Sequence, residues 1–408
     1  MEIDKIIRDA EEALSVEFKK IDELTYNNSK KVLDAFHEFN VSEIHFTSTT
    51  GYGYNDIGRD TIEKVFARVL DADSALVRNQ FISGSHALNV AFFAMLRPGD
   101  TMLTITGEPY DTLHEVIGIK ENPSSLKSFG ISYEQIDLQD DDFDDEKIIE
   151  AIKNKSYKLI HIQRSRGYST RASLTIDKLE RIIGKIKEIS PDTIIMVDNC
   201  YCEMTEEKTP TTVGADIIVG SLIKNLGGGI APNGAYIAGR KDLIELCGER
   251  LTLPGEGLEV GPSLGINESF LRGIYMAPQV VSSSLKLSIL ASCVLENMGY
   301  TVSPRYDEKR ADIVTMITFG SKEKLIKFVQ GIQAGSAIDA HAIPEPTDMP
   351  GYDDKIIMAS GSFVQGSSIE VSCDGPLRPP YNGYLQGSLT YDYAKLALRE
   401  ALLHMEER

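Results

Sequence analysis

Apolar positions follow a helical rhythm at the start of the chain and a broken, alternating one further on. Ile7, Ala10, Leu14 and Phe18 stand three or four residues apart with Lys and Glu between them, which predicts a helical segment over residues 1–45, an arm or a partner-binding element. From Asp60 the pattern predicts a helix over Thr61–Leu70, a turn at Phe81-Ile82-Ser83-Gly84, and a helix with Leu88, Ala91, Phe92 and Met95 on one face. Arg97-Pro98-Gly99-Asp100 stops that helix. Short apolar runs follow at Met102–Ile105, Lys158–Ile162, Ile194–Val197, Ile217–Val219 and Ala235–Ala238, with helical spacing between several of them, as over Ile176–Ile189. Such alternation predicts an α/β fold whose mostly parallel sheet is covered by helices.

Beyond about Gly265 the texture changes. A long helical stretch, Phe270–Met298, precedes an apolar run at Ile313–Phe319, a loop-rich segment near Pro344–Tyr352, a strand at Ile369–Ser372 and a closing helix over Tyr391–Arg408. The expected organisation is an N-terminal segment over 1–59, a large domain over 60–265 and a smaller α+β C-terminal domain over 266–408. Two domains suit 408 residues, more than one core usually holds.

Composition narrows the function classes. With 42% hydrophobic and 25% charged residues the chain is ordinary globular protein. No apolar run is expected to span a membrane, and Met1-Glu2-Ile3-Asp4-Lys5 lacks the pattern of a signal peptide, so a soluble, cytoplasmic protein is expected. Cys200, Cys202, Cys247, Cys293 and Cys373 are too scattered for a disulfide framework, and reduced thiols are expected. Cys200-Tyr201-Cys202 has no second pair at zinc spacing, so no metal site is expected. A net charge of −19 argues against nucleic acid or anionic membrane as partner. The cluster Asp140, Asp141, Asp142, Asp144, Asp145 and Glu146 reads as a solvated loop entering a helix, because the spacing and central glycine of a calcium loop are missing.

The chemistry gathers at four points. Asp216–Gly229 runs from an apolar strand through Ser221-Leu222-Ile223-Lys224 into a glycine-rich loop, and Asp198-Asn199 closes the apolar run ending at Val197. An amine and a carboxylate delivered to neighbouring strand ends suit pyridoxal phosphate, whose aldehyde takes a lysine and whose ring nitrogen takes an acid. Ser83-Gly84-Ser85-His86 sits where a helix begins, so backbone amides and serine hydroxyls can hold a phosphate, with Ser221 adding another donor. Tyr110, in Gly107-Glu108-Pro109-Tyr110, is placed to stack on the ring, with His86 as the alternative. The expected catalytic set is Lys224, Asp198 and Tyr110.

Ser83-Gly-Ser-His-Ala87, Tyr110, Val197-Asp-Asn199 and Ser221-Leu-Ile-Lys224 occur in the order seen in fold type I pyridoxal phosphate enzymes, and resemble the cystathionine β-lyase and methionine γ-lyase group. Gly51–Arg59, Gln163-Arg-Ser-Arg-Gly-Tyr168 and Ser221–Gly229 look like its aluminium-resistance, methionine γ-lyase-like branch. The resemblance covers nearly the whole chain. It implies a fold type I transferase-like architecture, a homodimer or homotetramer with shared sites, and an amino-acid substrate. It further implies that Tyr54 and Arg59 belong to an interface loop reaching a neighbour's cofactor phosphate, with Tyr52 as the alternative tyrosine. Arg378 would meet the substrate carboxylate, and the partner of the cofactor's ring hydroxyl stays open at Gln163–Arg166. The leading expectation is a carbon–sulfur lyase acting on cystathionine, cysteine or methionine by β- or γ-elimination. An aminotransferase would use the same residues, and a pyridoxal phosphate-binding protein with a regulatory or metal-resistance role is the reading from another class.

Overall fold

Seven strands form the larger sheet of the computed structural model: β1 (Ser74–Arg78), β2 (Thr101–Thr104), β3 (Ser132–Gln135), β4 (Leu159–Gln163), β5 (Ile194–Asp198), β6 (Ile217–Ser221) and β7 (Ala235–Gly239). Their order is β1-β7-β6-β5-β4-β2-β3. The neighbours from β6 through β3 pair in parallel, whereas β7 runs antiparallel to both β1 and β6. The structure describes residues 2–349 and 352–406; Pro350 and Gly351 of the expected loop, and Glu407 and Arg408 of the expected closing helix, lie outside the described residues.

Strands β2, β4, β5 and β6 are buried at every position. That is why they read as unbroken apolar runs, since helices cover both faces of a parallel sheet. Helix Gly84–Met95 packs on one face among Leu88, Ala91 and Phe92, and Ile176–Ile189 covers the other with Leu179, Ile182, Ile183 and Ile186. β1 was not among the expected strands. It ends in Arg78, a buried charge held by Glu63 and by the carbonyls of Leu258 and Val260.

A second, antiparallel sheet joins β8 (Thr301–Ser303), β9 (Thr315–Thr318), β10 (Ile356–Ala359), β11 (Ser372–Pro376) and β12 (Asn382–Gln386) in the order β10-β11-β12-β9-β8. The strand expected at Ile369–Ser372 therefore begins where that expectation ended. β11 reads Ser-Cys-Asp-Gly-Pro and lacks apolar alternation, because pairing with β10 and β12 holds it rather than propensity.

The helix Asn267–Asn297 ties the two sheets together. Phe270, Leu271, Ile274 and Ala277 enter the core of the large sheet, and Val281, Leu285, Leu290 and Val294 enter that of the small one. It corrects one expectation. By length and composition it is apolar enough to cross a membrane, yet 83% of its most apolar window is buried inside the fold. The N-terminal segment is equally embedded: Ile3, Ile7, Ala10 and Leu14 join the core of the small sheet. Arg399 and Tyr391 of the closing helix bond Asp4 and Glu11. This segment docks on its own chain instead of standing off as an arm.

Candidate active site

Strand register brings the first two groups together. Gln163 and Asp198 end β4 and β5 as direct Cα partners, and Ser221 ends β6 next door. Three residues later Lys224 leaves the sheet, its loop tied down by Asn225, whose Nδ2 donates to the Glu203 carbonyl at 2.9 Å. Asp198 Oδ1 accepts the Cys200 N–H at 3.1 Å, and the carboxyl lines the cavity. Lys224 Nζ stands 4.1 Å from the centre of the Tyr201 ring, a cation–π geometry. Tyr201 holds φ at +70°, a left-handed backbone that a tyrosine rarely adopts and that marks a site under constraint.

Electrostatics separate the amine from its surroundings. Burial works against the Lys224 ammonium, but Cys200, Tyr201, Asp198 and Glu203 together outweigh it and raise the pKa. Burial also drives the Cys200 thiol and the Tyr201 phenol up. Glu203, on the far side of β6, accepts from Tyr236 Oη at 2.9 Å. Its pKa is pushed up to about 7, chiefly by burial.

Opposite Lys224 the helix Gly84–Met95 begins. The Ser83 hydroxyl caps it by accepting the His86 N–H at 3.1 Å, while the first-turn amides of Gly84 and Ser85 have no acceptor within the helix. A Cβ at Gly84 would meet Ser221 Cβ at 3.2 Å and Cys200 Sγ at 3.5 Å, so bare backbone suits the approach of helix start to strand end. Ser85 Oγ lies 2.8 Å from Thr112 Oγ1. Ser83, Gly84, Ser85, Ser221, Asp198, Lys224 and Tyr110 all line one cavity of about 170 Å³. A phosphate-sized cradle at a helix start, an amine, and a carboxylate are what pyridoxal phosphate requires, and these residues fit it.

The second sheet and the loops facing it form the other wall. Asp374 of β11 and Tyr384 of β12 are cross-strand Cα partners. Tyr168 Oη donates to Asp374 Oδ2 at 2.9 Å, and Tyr384 Oη donates to the Tyr168 carbonyl at 2.8 Å. The Tyr168 ring centre lies 5.2 Å from that of Tyr384, 5.4 Å from Tyr352 and 6.3 Å from Tyr110. Tyr110 also bonds the Tyr352 hydroxyl, and its backbone N–H donates to Gln163 Oε1 at 2.7 Å. Gly167, at φ +59°, makes room for it: a Cβ there would come within 3.1 Å of the Tyr110 ring.

Four of the expected site residues stand outside this cavity. His86 turns away, its Nδ1 accepting the Ile82 N–H at 3.2 Å and its ring edge-on to Phe81, so it supports the cap. Arg378 is exposed and pairs with Asp354 at 2.9 Å in a neighbouring cleft, because the β11–β12 connection carries it past the cavity mouth. Tyr54 and Arg59, expected in a neighbouring subunit's site, do not line this chain's own cavity. Tyr54 stacks on Tyr52 at 5.6 Å on the surface, and Arg59 points inward to the Gly53 and Gly261 carbonyls at 2.8 and 3.1 Å. Gln163 lines the cavity with its amide already bonded to Tyr110 and to the Ser165 carbonyl.

Tyr201, Asp374 and Tyr384 had no role in the sequence reading. The signal for Tyr201 was its place just after the strand end that bears Asp198. For Asp374 it was hidden, because the strand was expected a few residues too early.

Comparison with known proteins agrees with this geometry. A family model described as methionine gamma-lyase matches residues 3–406. The uncharacterized protein YnbB of Bacillus subtilis (strain 168) is 48% identical over 94% of this chain and 92% of its own length. A carbon-sulfur lyase involved in aluminum resistance from Clostridium novyi NT superposes with a TM-score of 0.95 at 50% identity, covering 98% of this chain and 95% of that one. A candidate cystathionine beta-lyase involved in aluminum resistance from Clostridium acetobutylicum reaches a TM-score of 0.97 at 46% identity, over 100% and 96% of the two chains. More distant solved structures share the fold alone, that of the fold type I pyridoxal phosphate enzymes.

Proposed function

We propose, for a chain that belongs to the methionine gamma-lyase family, a pyridoxal phosphate-dependent carbon–sulfur lyase acting on a sulfur amino acid. The observation that carries this reading is the convergence of Lys224, Asp198 and the Gly84–Ser85 helix start on one cavity. When bound, pyridoxal phosphate supplies an aldehyde for amine capture and a ring that withdraws electrons from the substrate's α-carbon. Asp198 would face the ring nitrogen, where a charge-assisted hydrogen bond would keep the proton in place. The Gly84 and Ser85 amides, with Ser221, hold the phosphate at the positive end of a helix. Lys224 would hold the cofactor's aldehyde and, as a free amine, would take the α-proton at Nζ. Tyr201 beneath Nζ keeps that amine from wandering into solvent.

The same floor would serve transamination, and the reaction outcome separates the two. The test incubates the cofactor-loaded protein with L-cystathionine, L-cysteine and L-methionine and follows release of a keto acid, ammonia and a thiol or sulfide. Keto acid without sulfur release, dependent on an added amino acceptor, would replace the lyase reading with an aminotransferase one. No product and no spectral change with any substrate would favour a regulatory protein.

A further inference from the structure

Asp374 is the cavity's second carboxylate, and it has no duty toward the cofactor's known needs. It sits on the second sheet, across from the Lys224 floor. Oδ2 accepts the Tyr168 hydroxyl, while Oδ1 is shielded from water and has no hydrogen-bond partner among the described residues. Leaving such an atom unpaired is costly unless a ligand completes it. Among the described residues the cavity lining contains no arginine or histidine, and its one lysine is Lys224. The groups around Asp374 are instead aromatic: Tyr168, Tyr384, Tyr352 and Tyr110 lie with neighbouring ring centres 5.2–6.3 Å apart. A carboxylate among tyrosine faces suits an organic cation, which donates a hydrogen bond to the carboxylate and gains quadrupole attraction from the rings. It repels an anion.

We propose that Asp374, with the tyrosines around it, is the specificity-determining receptor for an ammonium group at the far end of the substrate side chain. The preferred substrates would then be diamino thioethers, in which one amine engages the cofactor floor and the other reaches the second sheet. Burial holds the carboxyl up at about 6 in the free protein, as fits an acid without a cation beside it. Lys224 and Asp374 line the same cavity, so floor and receptor face one enclosed space. The proposal rests on the lyase reading for its chemistry, but not for its recognition step.

Two isosteric probes isolate that step: S-(2-aminoethyl)-L-cysteine and S-propyl-L-cysteine differ by an ammonium in place of a methyl group. Calorimetric affinity and kcat/KM are measured for both on the holoenzyme and on Asp374→Asn. The wild-type protein should favour the aminoethyl compound by about 30- to 100-fold, the span of one desolvated charge-assisted hydrogen bond. Asp374→Asn should bring that ratio to within about threefold of unity. Equal affinity for the two probes in the wild type overturns the receptor, and needs no variant to fold. Ratios that persist in a folded Asp374→Asn assign the preference elsewhere and also overturn it. If both probes bind with the expected preference and neither is cleaved, the receptor stands and the lyase reading fails.

Discussion

Asp198, Ser221 and Lys224 reach the cavity from adjacent strand ends of one parallel sheet, whereas Asp374 and Tyr384 reach it from an antiparallel hairpin well over a hundred residues further along. On the first wall each functional residue follows directly from an apolar run, so its position is dictated by where the strand stops. On the second wall the strand itself is short and polar, and its place depends on what it pairs with. The first wall holds groups that any pyridoxal phosphate chemistry needs. The second differs in kind: it is rich in hydroxyls and aromatic faces, and it is where the choice among substrates can be made. On the proposed reading, general chemistry and specificity would be carried by different sheets.

The comparison breaks most sharply at Lys224. Lys224→Ala should lower turnover by at least about 1,000-fold, because both cofactor attachment and proton transfer use its Nζ. Borohydride treatment followed by peptide mass mapping should place the cofactor's mass on Lys224 in the wild type. Label on another lysine would dismantle the floor as described. Asp198→Ala comes next, with turnover reduced by about 100- to 1,000-fold, since loss of a buried charged partner is worth about 3–5 kcal/mol. Cofactor content, read from absorbance, should fall far less, as the contacts at Gly84, Ser85 and Ser221 remain. Near-native turnover would remove Asp198 from the chemistry.

The second wall makes a prediction about stability. Burial raises the Asp374 carboxyl from 3.8 to about 6 in the folded protein. The folded state then binds the proton more tightly than the unfolded one. The associated stability is fully present below about pH 4 and lost as pH rises through about 6. Asp374→Asn should therefore gain on the wild type between those values and hold a lead of about 1–3 kcal/mol above them. Thermal melts of the cofactor-free proteins from pH 4 to 8 would show it. A constant difference across that range would mean that Asp374 is ionised throughout and already satisfied. The smallest effect is expected at Arg378, an exposed residue whose one ion pair among the described residues is with the half-buried Asp354. Arg378→Ala should leave kcat/KM within about twofold. A hundredfold rise in KM would put this arginine back on the substrate.

Much of the first wall was legible beforehand. The helix over Ile176–Ile189 was placed at its observed bounds, and the runs before Asp198 and Ser221 proved to be strands β5 and β6. A strand buried on both faces must be continuously apolar, so its end is visible as the first polar residue, and the proposed cofactor groups sit at those ends. His86 shows the limit of the same logic: the helix start was right, but which way a side chain turns at a cap depends on the neighbouring Ile82 amide and the Phe81 ring.

What the sequence by itself determined is therefore the periodic part of the protein: the alternating elements, the sheet edge they create, and the amine, acid and phosphate cradle delivered to it. Only the tertiary structure decided what faces that edge. β11 has neither apolar alternation nor strong strand formers, and Asp374 acquires its neighbours through cross-strand pairing with β12 and through a loop that brings Tyr168 from the other sheet. Local periodicity reports burial within one element. It carries no information about which distant element will bury an unpaired carboxylate oxygen among tyrosines, and that depends on packing across the whole chain.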